Sequence, residues 1–305
     1  MIIGSAFFPA PAYRQEGGAS SRLARDTELP VSQTQIEILT SGIWQMTTTV
    51  IFSDRDCLVV DPGYFPRELA DLLRLIPNDA SVKALFFTHS HWDHIVGHGV
   101  FPGVPVYTSS VLAQSVADHG NLGAEAMVKA YEFDSQWYVE RPWGYAWPAD
   151  VRGLDDGGHF RIGALDIETF LIPGHHPDCM AIRAENHLLV GDYLSPCEIP
   201  FIDNLMEYRC TLQRLLTLIS SDVERVIPGH GPPLSAGDAL SIAREDLRYL
   251  DDIARCAESN DAVAALRIAL PRAENVVGMR EHHTENCRKV GIIITGKSVG
   301  SAVPP

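Results

Sequence analysis

The chain alternates between short apolar runs and segments in which apolar residues recur every three to four positions. Three runs near its beginning, at residues 36–39, 47–52 and 57–60, predict β-strands. At residues 66–76 the apolar positions follow the spacing i, i+3, i+4, i+7, with a proline suited to the first helical turn. The first quarter of the chain is therefore predicted to contain three strands followed by a helix.

The same two patterns continue to about residue 256. The run at 84–87 predicts a buried strand, and the run at 104–107 predicts an edge strand or a strand start because it contains a proline. Periodic apolar positions predict two further helices, at 212–219 and 238–256. Short apolar runs predict three further strands, at residues 167–172, 187–190 and 225–227.

Three segments depart from this regular pattern. Residues 1–30 are rich in Gly, Ser, Ala and Pro, which predicts a loose arm. Residues at about 120–160 are less regular and rich in Trp and Tyr, which predicts an insertion within one domain that spans residues 31–256. Residues 257–305 predict a helical extension and tail packed on that domain, with a short strand that starts at Gly291.

Four of the predicted strands end at a side chain that can bind a metal ion. These strand ends carry His89, His175, Asp192 and His230. We favour His175 over the neighbouring His176 because it directly follows a Pro-Gly turn. Rigid folds present functional groups at strand ends on one edge of a sheet, so we expect the four side chains to lie close together.

A segment of six residues, His-Ser-His-Trp-Asp-His, holds four ligand-type side chains. In an extended chain positions i and i+2 project to the same side, so His89 and His91 are predicted to bind one cation. Asp93 and His94 follow where the chain turns, and they are predicted to reach a second cation. Asp192 is the candidate bridge, since two carboxylate oxygens can hold ions about 3.5–4 Å apart. Imidazole and carboxylate ligands suit zinc, and also iron or manganese.

Composition and charge narrow the classes of partner. The net charge of −15 over 305 residues disfavours nucleic acid. The sequence contains no run of 18 apolar residues, so a membrane-spanning helix is not expected. The N-terminus lacks the positive region of a signal peptide. The six cysteines are dispersed without a CxxC pair, which favours reduced thiols. We therefore expect a soluble, cytoplasmic protein without a membrane or nucleic-acid partner, whose oligomeric state the sequence does not indicate.

These motifs and their order resemble those of the metallo-β-lactamase superfamily over roughly residues 34–235. The resemblance implies an α/β fold: an αββα sandwich of two mixed sheets flanked by helices, with metals at one edge. It implies that Asp192 bridges two ions. It also implies two sets of ligands, His89, His91 and His175 for one metal and Asp93, His94 and His230 for the other.

Asp61, in the sequence Val-Val-Asp-Pro-Gly, matches a family position near the metal site. This similarity makes it a candidate for orienting a ligand histidine. The alternative is that Asp61 only forms the turn before Pro62 and Gly63.

The motifs leave the subfamily open, although they are glyoxalase II-like. Asp192 argues against β-lactam hydrolysis, because the true β-lactamases of the superfamily lack this bridging aspartate. The glyoxalase II motif often reads GHTxGH, whereas residues 174–179 read GHHPDC. Lactonases of the family have a tyrosine where this chain has Ser195.

We therefore predict a hydrolase that carries two divalent metal ions, zinc in the first place. A hydroxide that bridges the metals would attack a small ester, thioester or lactone, and Asp93 would be the catalytic residue that takes or relays a proton. Two alternatives on the same fold are a mono-iron sulfur dioxygenase and a non-catalytic ligand-binding protein. A nuclease is disfavoured by the acidic charge.

The aromatic residues of the 120–160 segment allow two interpretations. In the first, Trp143 or Trp147 borders the metal site and selects the substrate, since binding pockets are mostly apolar. In the second, both rings only pack the insertion onto the core, because large aromatic side chains dominate cores.

Overall fold

The computed structural model describes residues 34–137 and 139–294. The predicted arm at residues 1–30 lies outside the described residues, and so does the end of the chain from residue 295. Within the described part, twelve strands form two six-stranded sheets, each with parallel and antiparallel neighbours.

The first sheet has its strands in sequence order from β1 to β6. The β1–β2–β3 part is antiparallel, and the β3–β4–β5–β6 part is parallel. The strands are β1 (Gln35–Thr40), β2 (Thr47–Ser53), β3 (Asp56–Val60), β4 (Ser81–Phe86), β5 (Val106–Ser109) and β6 (Val151–Leu154).

The second sheet has the order β12–β11–β10–β9–β8–β7. Only β10 and β11 run parallel to each other as neighbours, and the other pairs are antiparallel. The strands are β7 (His159–Ile162), β8 (Leu165–Leu171), β9 (Met180–Ala184), β10 (His187–Leu189), β11 (Arg225–Ile227) and β12 (Leu234–Ser235).

Helices cover the outer face of each sheet. None of those in the described residues is long and apolar enough to cross a lipid bilayer. The helices are α1 (Pro66–Leu75), α2 (Trp92–Ile95), α3 (Ser110–Ala117), α4 (Asn121–Trp137), α5 (Leu205–Ile219), α6 (Ala236–Ser259), α7 (Ala262–Leu266) and α8 (Met279–Lys289), with a 3₁₀ turn at Val96–Val100 after α2.

The layers follow from the alternation of side chains along each strand. On β2, Ile51 packs between the two sheets, whereas Val50 and Phe52 pack under the helices of the first sheet. The same alternation on the second sheet directs one set of residues between the sheets and the other toward α5 and α6. The αββα sandwich predicted from the resemblance is therefore confirmed.

The prediction of irregular structure at residues 120–160 is wrong for α4, which is a helix of 17 residues. Small residues such as Gly123, Ala126 and Ala130 form much of its buried face, so large apolar side chains do not mark its period. The helix α3 and the strand β9 were also not predicted. The strand predicted at 104–107 begins two residues later, directly after its proline. No strand is present at residues 291–294, and the rest of that prediction lies outside the described residues.

Candidate metal centre

The seven predicted ligands come together at one edge of the sandwich. Five of them lie in loops that follow β4, β8, β10 and β11, and the other two, Asp93 and His94, lie in the short helix α2 after β4. Within each of two clusters, every residue offers one ligand atom, and these atoms lie within 4.8 Å of one another. The clusters, here named the first and the second ligand group, are His89, His91, His175 and Asp192, and Asp93, His94 and His230.

Asp192 lies between the two groups. Its Oδ2 is 3.4 Å from Nε2 of His89 and 3.3 Å from Nε2 of His175. Its Oδ1 is 3.2 Å from Nε2 of His94 and 3.5 Å from Nε2 of His230. Each carboxylate oxygen therefore faces one group, which is the arrangement that a bridging ligand requires.

The spacing of these atoms suits metal ions. A tetrahedral zinc ion with bonds of about 2.0–2.1 Å separates its ligand atoms by about 3.3 Å. In the first group, Nε2 of His175 is 3.0 Å from Nδ1 of His91 and 3.3 Å from Oδ2 of Asp192. In the second group, Oδ2 of Asp93 is 3.5 Å from Nε2 of His230. Both groups therefore have the dimensions of a cation site.

Three buried atoms at the centre have no hydrogen-bond partner among the described residues. They are Nε2 of His89, Nε2 of His94 and Oδ1 of Asp192. Burying a polar atom without a partner is costly, so each such atom needs an explanation. His89 Nε2 lies 3.4 Å from Oδ2 of Asp192, and His94 Nε2 lies 3.2 Å from its Oδ1, and a pair of divalent cations would satisfy all three atoms.

Burial lowers the pKa of two imidazoles of the first group. For His89 burial lowers the pKa, although Asp192 opposes this effect. Burial, together with His89 and His175, holds the pKa of His91 well below its usual value. A neutral imidazole has the free lone pair that a metal ion requires, so these lowered pKa values favour metal binding by the two side chains.

The second group has the opposite balance. Burial by itself lowers the pKa of His94, but the carboxylates of Asp192 and Asp93 outweigh it and hold the pKa well above its usual value. The same balance, with Asp192 and Glu198 opposing burial, raises the pKa of His230 to about 10. These carboxylates hold positive charge at the second group, and a divalent cation bound there would displace the protons.

Asp61 contacts a ligand-type histidine, as one of its two interpretations predicts. Its Oδ2 lies 2.9 Å from Nδ1 of His94. Its own position is fixed by Thr88, whose backbone N–H and hydroxyl donate to the two carboxylate oxygens at 2.8 and 2.7 Å. Since the hydroxyl of Thr88 donates to Asp61, it can accept from Nδ1 of His89, 3.0 Å away. One carboxylate thus orients two imidazoles and leaves their Nε2 atoms free for a metal ion.

Backbone carbonyls orient two further histidines, His175 and His230, whose Nε2 atoms face Asp192. Nδ1 of His175 donates to the carbonyl of Phe201, and Nδ1 of His230 donates to the carbonyl of Trp44, each at 3.0 Å. Trp44 and Gln45 both have positive φ angles, 47° and 54°, which are unusual for residues other than glycine. This turn directs the Trp44 carbonyl to His230, so local backbone strain accompanies the fixing of a ligand.

Two glycines allow close approach around the ligands. A Cβ at Gly229 would lie 2.4 Å from Oδ1 of Asp192, so a side chain there would collide with this carboxylate. Gly174 has a φ of 124°, and a Cβ there would lie 2.2 Å from the backbone nitrogen of Tyr208. Sterics therefore explain why a glycine directly precedes each of the two predicted ligands that follow a Pro-Gly pair.

His176 lies outside both ligand groups. Its Nδ1 pairs with the buried carboxylate of Asp178. The sequence did not predict that Glu198 lies beside a ligand-type histidine, because it is not part of any motif with the spacing of metal ligands. Its Oε1 lies 3.9 Å from Nδ1 of His230, and burial, with Asp192 and Asp93, raises its pKa to about 7.

The aromatic residues of the insertion support the packing interpretation. The indole N–H of Trp143 donates to the carbonyl of Val96, and that of Trp147 donates to the carbonyl of Gly123. Both rings pack against the core cluster of the first sheet. The insertion meets the metal motif through Phe133 of α4 instead.

The Phe133 ring lies 4.4 Å from that of Trp92, which stands between two ligands of the motif. Trp44 packs edge-on against Trp92 at 5.6 Å, and 49% of its surface is exposed. Trp137 extends this surface through Phe133. These four residues are here named the aromatic wall. Two of them adjoin ligand-type residues, since Trp92 lies between His91 and Asp93 in the sequence and the carbonyl of Trp44 accepts from Nδ1 of His230.

Comparisons with known proteins agree with this geometry. The model of the family described as the metallo-beta-lactamase superfamily matches residues 42–230. A probable polyketide biosynthesis zinc-dependent hydrolase from Bacillus velezensis is 26% identical over 182 residues, which cover 58% of this chain and 68% of the relative. A hydroxyacylglutathione hydrolase from Yersinia enterocolitica is 24% identical over 258 residues, covering 81% of this chain and 87% of the relative.

A similar fold has been solved. The crystal structure of a metallo-beta-lactamase family protein from Thermus thermophilus superposes with a TM-score of 0.57. The match covers 86% of this chain and 96% of that protein, at 19% sequence identity. At this identity the likeness supports the fold alone.

Proposed function

The chain belongs to the metallo-beta-lactamase superfamily, and we propose that it is a hydrolase with two divalent metal ions, zinc in the first place. The observation that carries this proposal is the position of Asp192, with one oxygen toward each ligand group. The relatives named as hydrolases, one of them zinc-dependent, support the reaction type.

Two ions at this centre would lower the pKa of a water molecule and polarise the carbonyl group of a substrate. The chain's own residues hold that chemistry in place. Asp61 and the carbonyls of Phe201 and Trp44 fix the imidazoles from outside. Asp93, buried beside His230, is the proposed catalytic residue, since its carboxylate can accept or relay a proton at the second group.

We propose a small ester, thioester or lactone as the substrate, with an apolar group on one side of the reacting carbonyl. The aromatic wall supports this choice, because it presents the largely exposed Trp44 ring beside the turn that fixes His230. Binding sites combine apolar surface with few polar anchors, and here the ligand groups are the polar part.

Elemental analysis and a substrate panel test the proposal together. Protein purified without chelators is expected to contain close to two transition-metal ions per chain and to hydrolyse members of an ester, thioester and lactone panel. His91→Ala should reduce both metal content and turnover. The matched control is His159→Ala, which removes an exposed histidine of β7 that belongs to neither ligand group.

Two outcomes would contradict the proposal. A single iron ion with oxidation of a persulfide substrate would indicate a sulfur dioxygenase. Full metal content without turnover on the whole panel would indicate a ligand-binding protein.

A further inference from the structure

The carbonyl that orients His175 belongs to a loop, not to a strand. Phe201 lies between β10 and α5, and its carbonyl oxygen is 3.0 Å from Nδ1 of His175. Two later residues of the same loop, Asp203 and Asn204, donate their backbone N–H groups to the carbonyl of Gly174 at 2.8 and 2.9 Å. The loop is therefore tied directly to the turn that carries His175.

A residue far along the chain holds both sides of Phe201. Asn286 of α8 is 3% exposed. Its Nδ2 donates to the carbonyl of Pro200 at 2.6 Å, and its Oδ1 accepts from the N–H of Ile202 at 3.0 Å. Tyr249 of α6 accepts a second hydrogen bond from the same Nδ2 at 3.1 Å. The amide of Asn286 thus fixes the two peptide groups that flank Phe201.

The same helix also supports the Phe201 side chain. The imidazole of His282, one turn before Asn286, stacks on the Phe201 ring with centroids 4.1 Å apart and planes at 29°. The backbone and the ring of Phe201 are therefore both held by α8. This helix lies beyond residue 230, where the match to the family model ends.

From these contacts we propose that α8 positions the metal ligand His175, through Asn286 and, to a smaller extent, through His282. These two are positioning residues, since neither reaches a ligand group itself. The inference rests on the proposed role of His175 as a metal ligand. Its consequence is asymmetric: loosening the Phe201 loop should weaken the first ligand group, while the second keeps its own supports at Asp61 and Trp44.

Stepwise zinc affinity of the full chain, measured by titration against a chromophoric chelator, tests this proposal. Contacts behind metal ligands are typically worth about 10–100-fold in metal affinity. Asn286→Ala is expected to lower the affinity for one of the two zinc ions by a factor in this range. The affinity for the other zinc ion should stay near its wild-type value. In cobalt-loaded protein, the visible absorption of one ion should change and that of the other should persist.

A buried residue of the same helix provides the matched control. His283 is 1% exposed and bonds to Tyr249 and to the carbonyl of Ala265, not to the Phe201 loop. His283→Ala should lower thermal stability but keep both zinc affinities. Equal losses of affinity in both variants would show that general loosening of α8 is responsible, and would overturn the specific role of Asn286.

A milder variant keeps the test decisive if Asn286→Ala does not fold. His282→Ala removes the ring that stacks on Phe201, and the expected loss is a few-fold in the same step. Its control is Glu281→Ala, an exposed neighbour on the same helix. Wild-type zinc affinity in every foldable variant of Asn286 and His282 would overturn the proposal. If the wild-type chain binds fewer than two ions, the proposed function fails separately, whatever the variants do.

Discussion

The histidines of the first and second ligand groups lie on either side of Asp192. Asp61 reaches one histidine in each group, but the other supports come from different parts of the chain. In the second group, the Asp61 carboxylate at the end of β3 and the Trp44 carbonyl before β2 hold His94 and His230. In the first group, His175 depends on the carbonyl of a loop residue. The second ligand group is therefore supported by residues at the edge of the sandwich. The first group depends in addition on a loop that α8 holds in place.

The two groups also differ in charge. Burial lowers the pKa of His89 and His91, whereas nearby carboxylates outweigh burial and raise the pKa of His94 and His230. The comparison teaches that one carboxylate can lie between two ligand groups whose supports differ and whose imidazole pKa values shift in opposite directions. Four experiments can break or sharpen it, and they follow from the largest expected effect to the smallest.

Removing the shared carboxylate should abolish the difference between the groups. Asp192→Ala is expected to lower the affinity for both ions and the turnover together. The loss should exceed about a hundredfold, because contacts outside the ligand shell alone are worth about 10–100-fold. Elemental analysis and kinetics on the same preparation measure both effects. Two ions retained in the variant would mean that another group forms the bridge.

Removing the metal ions should destabilise the fold and loosen mainly the loop-supported half. A ligand present at a hundred times its Kd stabilises the folded state by about 2.7 kcal/mol, so chelation should lower the free energy of unfolding by about that amount per ion. Denaturant titration with and without chelator measures the change. Hydrogen exchange should rise more at residues 195–203 than at residues 88–94. Equal increases in the two segments would remove the proposed asymmetry.

Weakening the support of the second group should mirror the effect expected for Asn286→Ala. Asp61→Asn keeps the size of the side chain but removes the charge beside His94. We expect a loss of about 10–100-fold in affinity for the ion that Asn286→Ala spares, and a smaller loss for the other ion, since Asp61 reaches His89 only through the Thr88 hydroxyl. Stepwise zinc titration of both variants identifies the ions. The control, Asp79→Asn, changes an exposed aspartate. If Asp61→Asn lost more affinity for the ion that Asn286→Ala weakens than for the other ion, the comparison would be contradicted.

Trimming the aromatic wall should alter substrate choice without altering the metals. Trp44→Ala is expected to raise KM by roughly 2–10-fold for substrates with a bulky apolar group, since an aromatic contact is worth about 0.5–1.5 kcal/mol. Its metal content should stay unchanged, because the variant retains the carbonyl that meets His230. Tyr131→Ala, at another exposed aromatic residue, is the control. Unchanged KM values across a series of acyl chains would exclude the wall from substrate binding.

Much of the fold follows from local patterns. The strands β1 to β4 and the helices α1, α5 and α6 were predicted near their observed positions, because large apolar residues recur there with the period of each element. The helix α4 was missed since small residues form its buried face. Likewise, the predicted role of Trp143 and Trp147 at the site found no support, because composition cannot distinguish a ring that packs from a ring that binds.

The sequence by itself determined which seven side chains would meet, since their spacing and their places after strands depend on the chain alone. The resemblance also pointed to Asp61, but only the tertiary structure decided what else stands behind them. The carbonyls of Phe201 and Trp44 contact His175 and His230 from 26 and 186 residues away, and Asn286 contacts its loop from 84–86 residues away. Contacts of this kind use single carbonyl and amide groups that any sequence offers, so folding alone selects the ones that support the site.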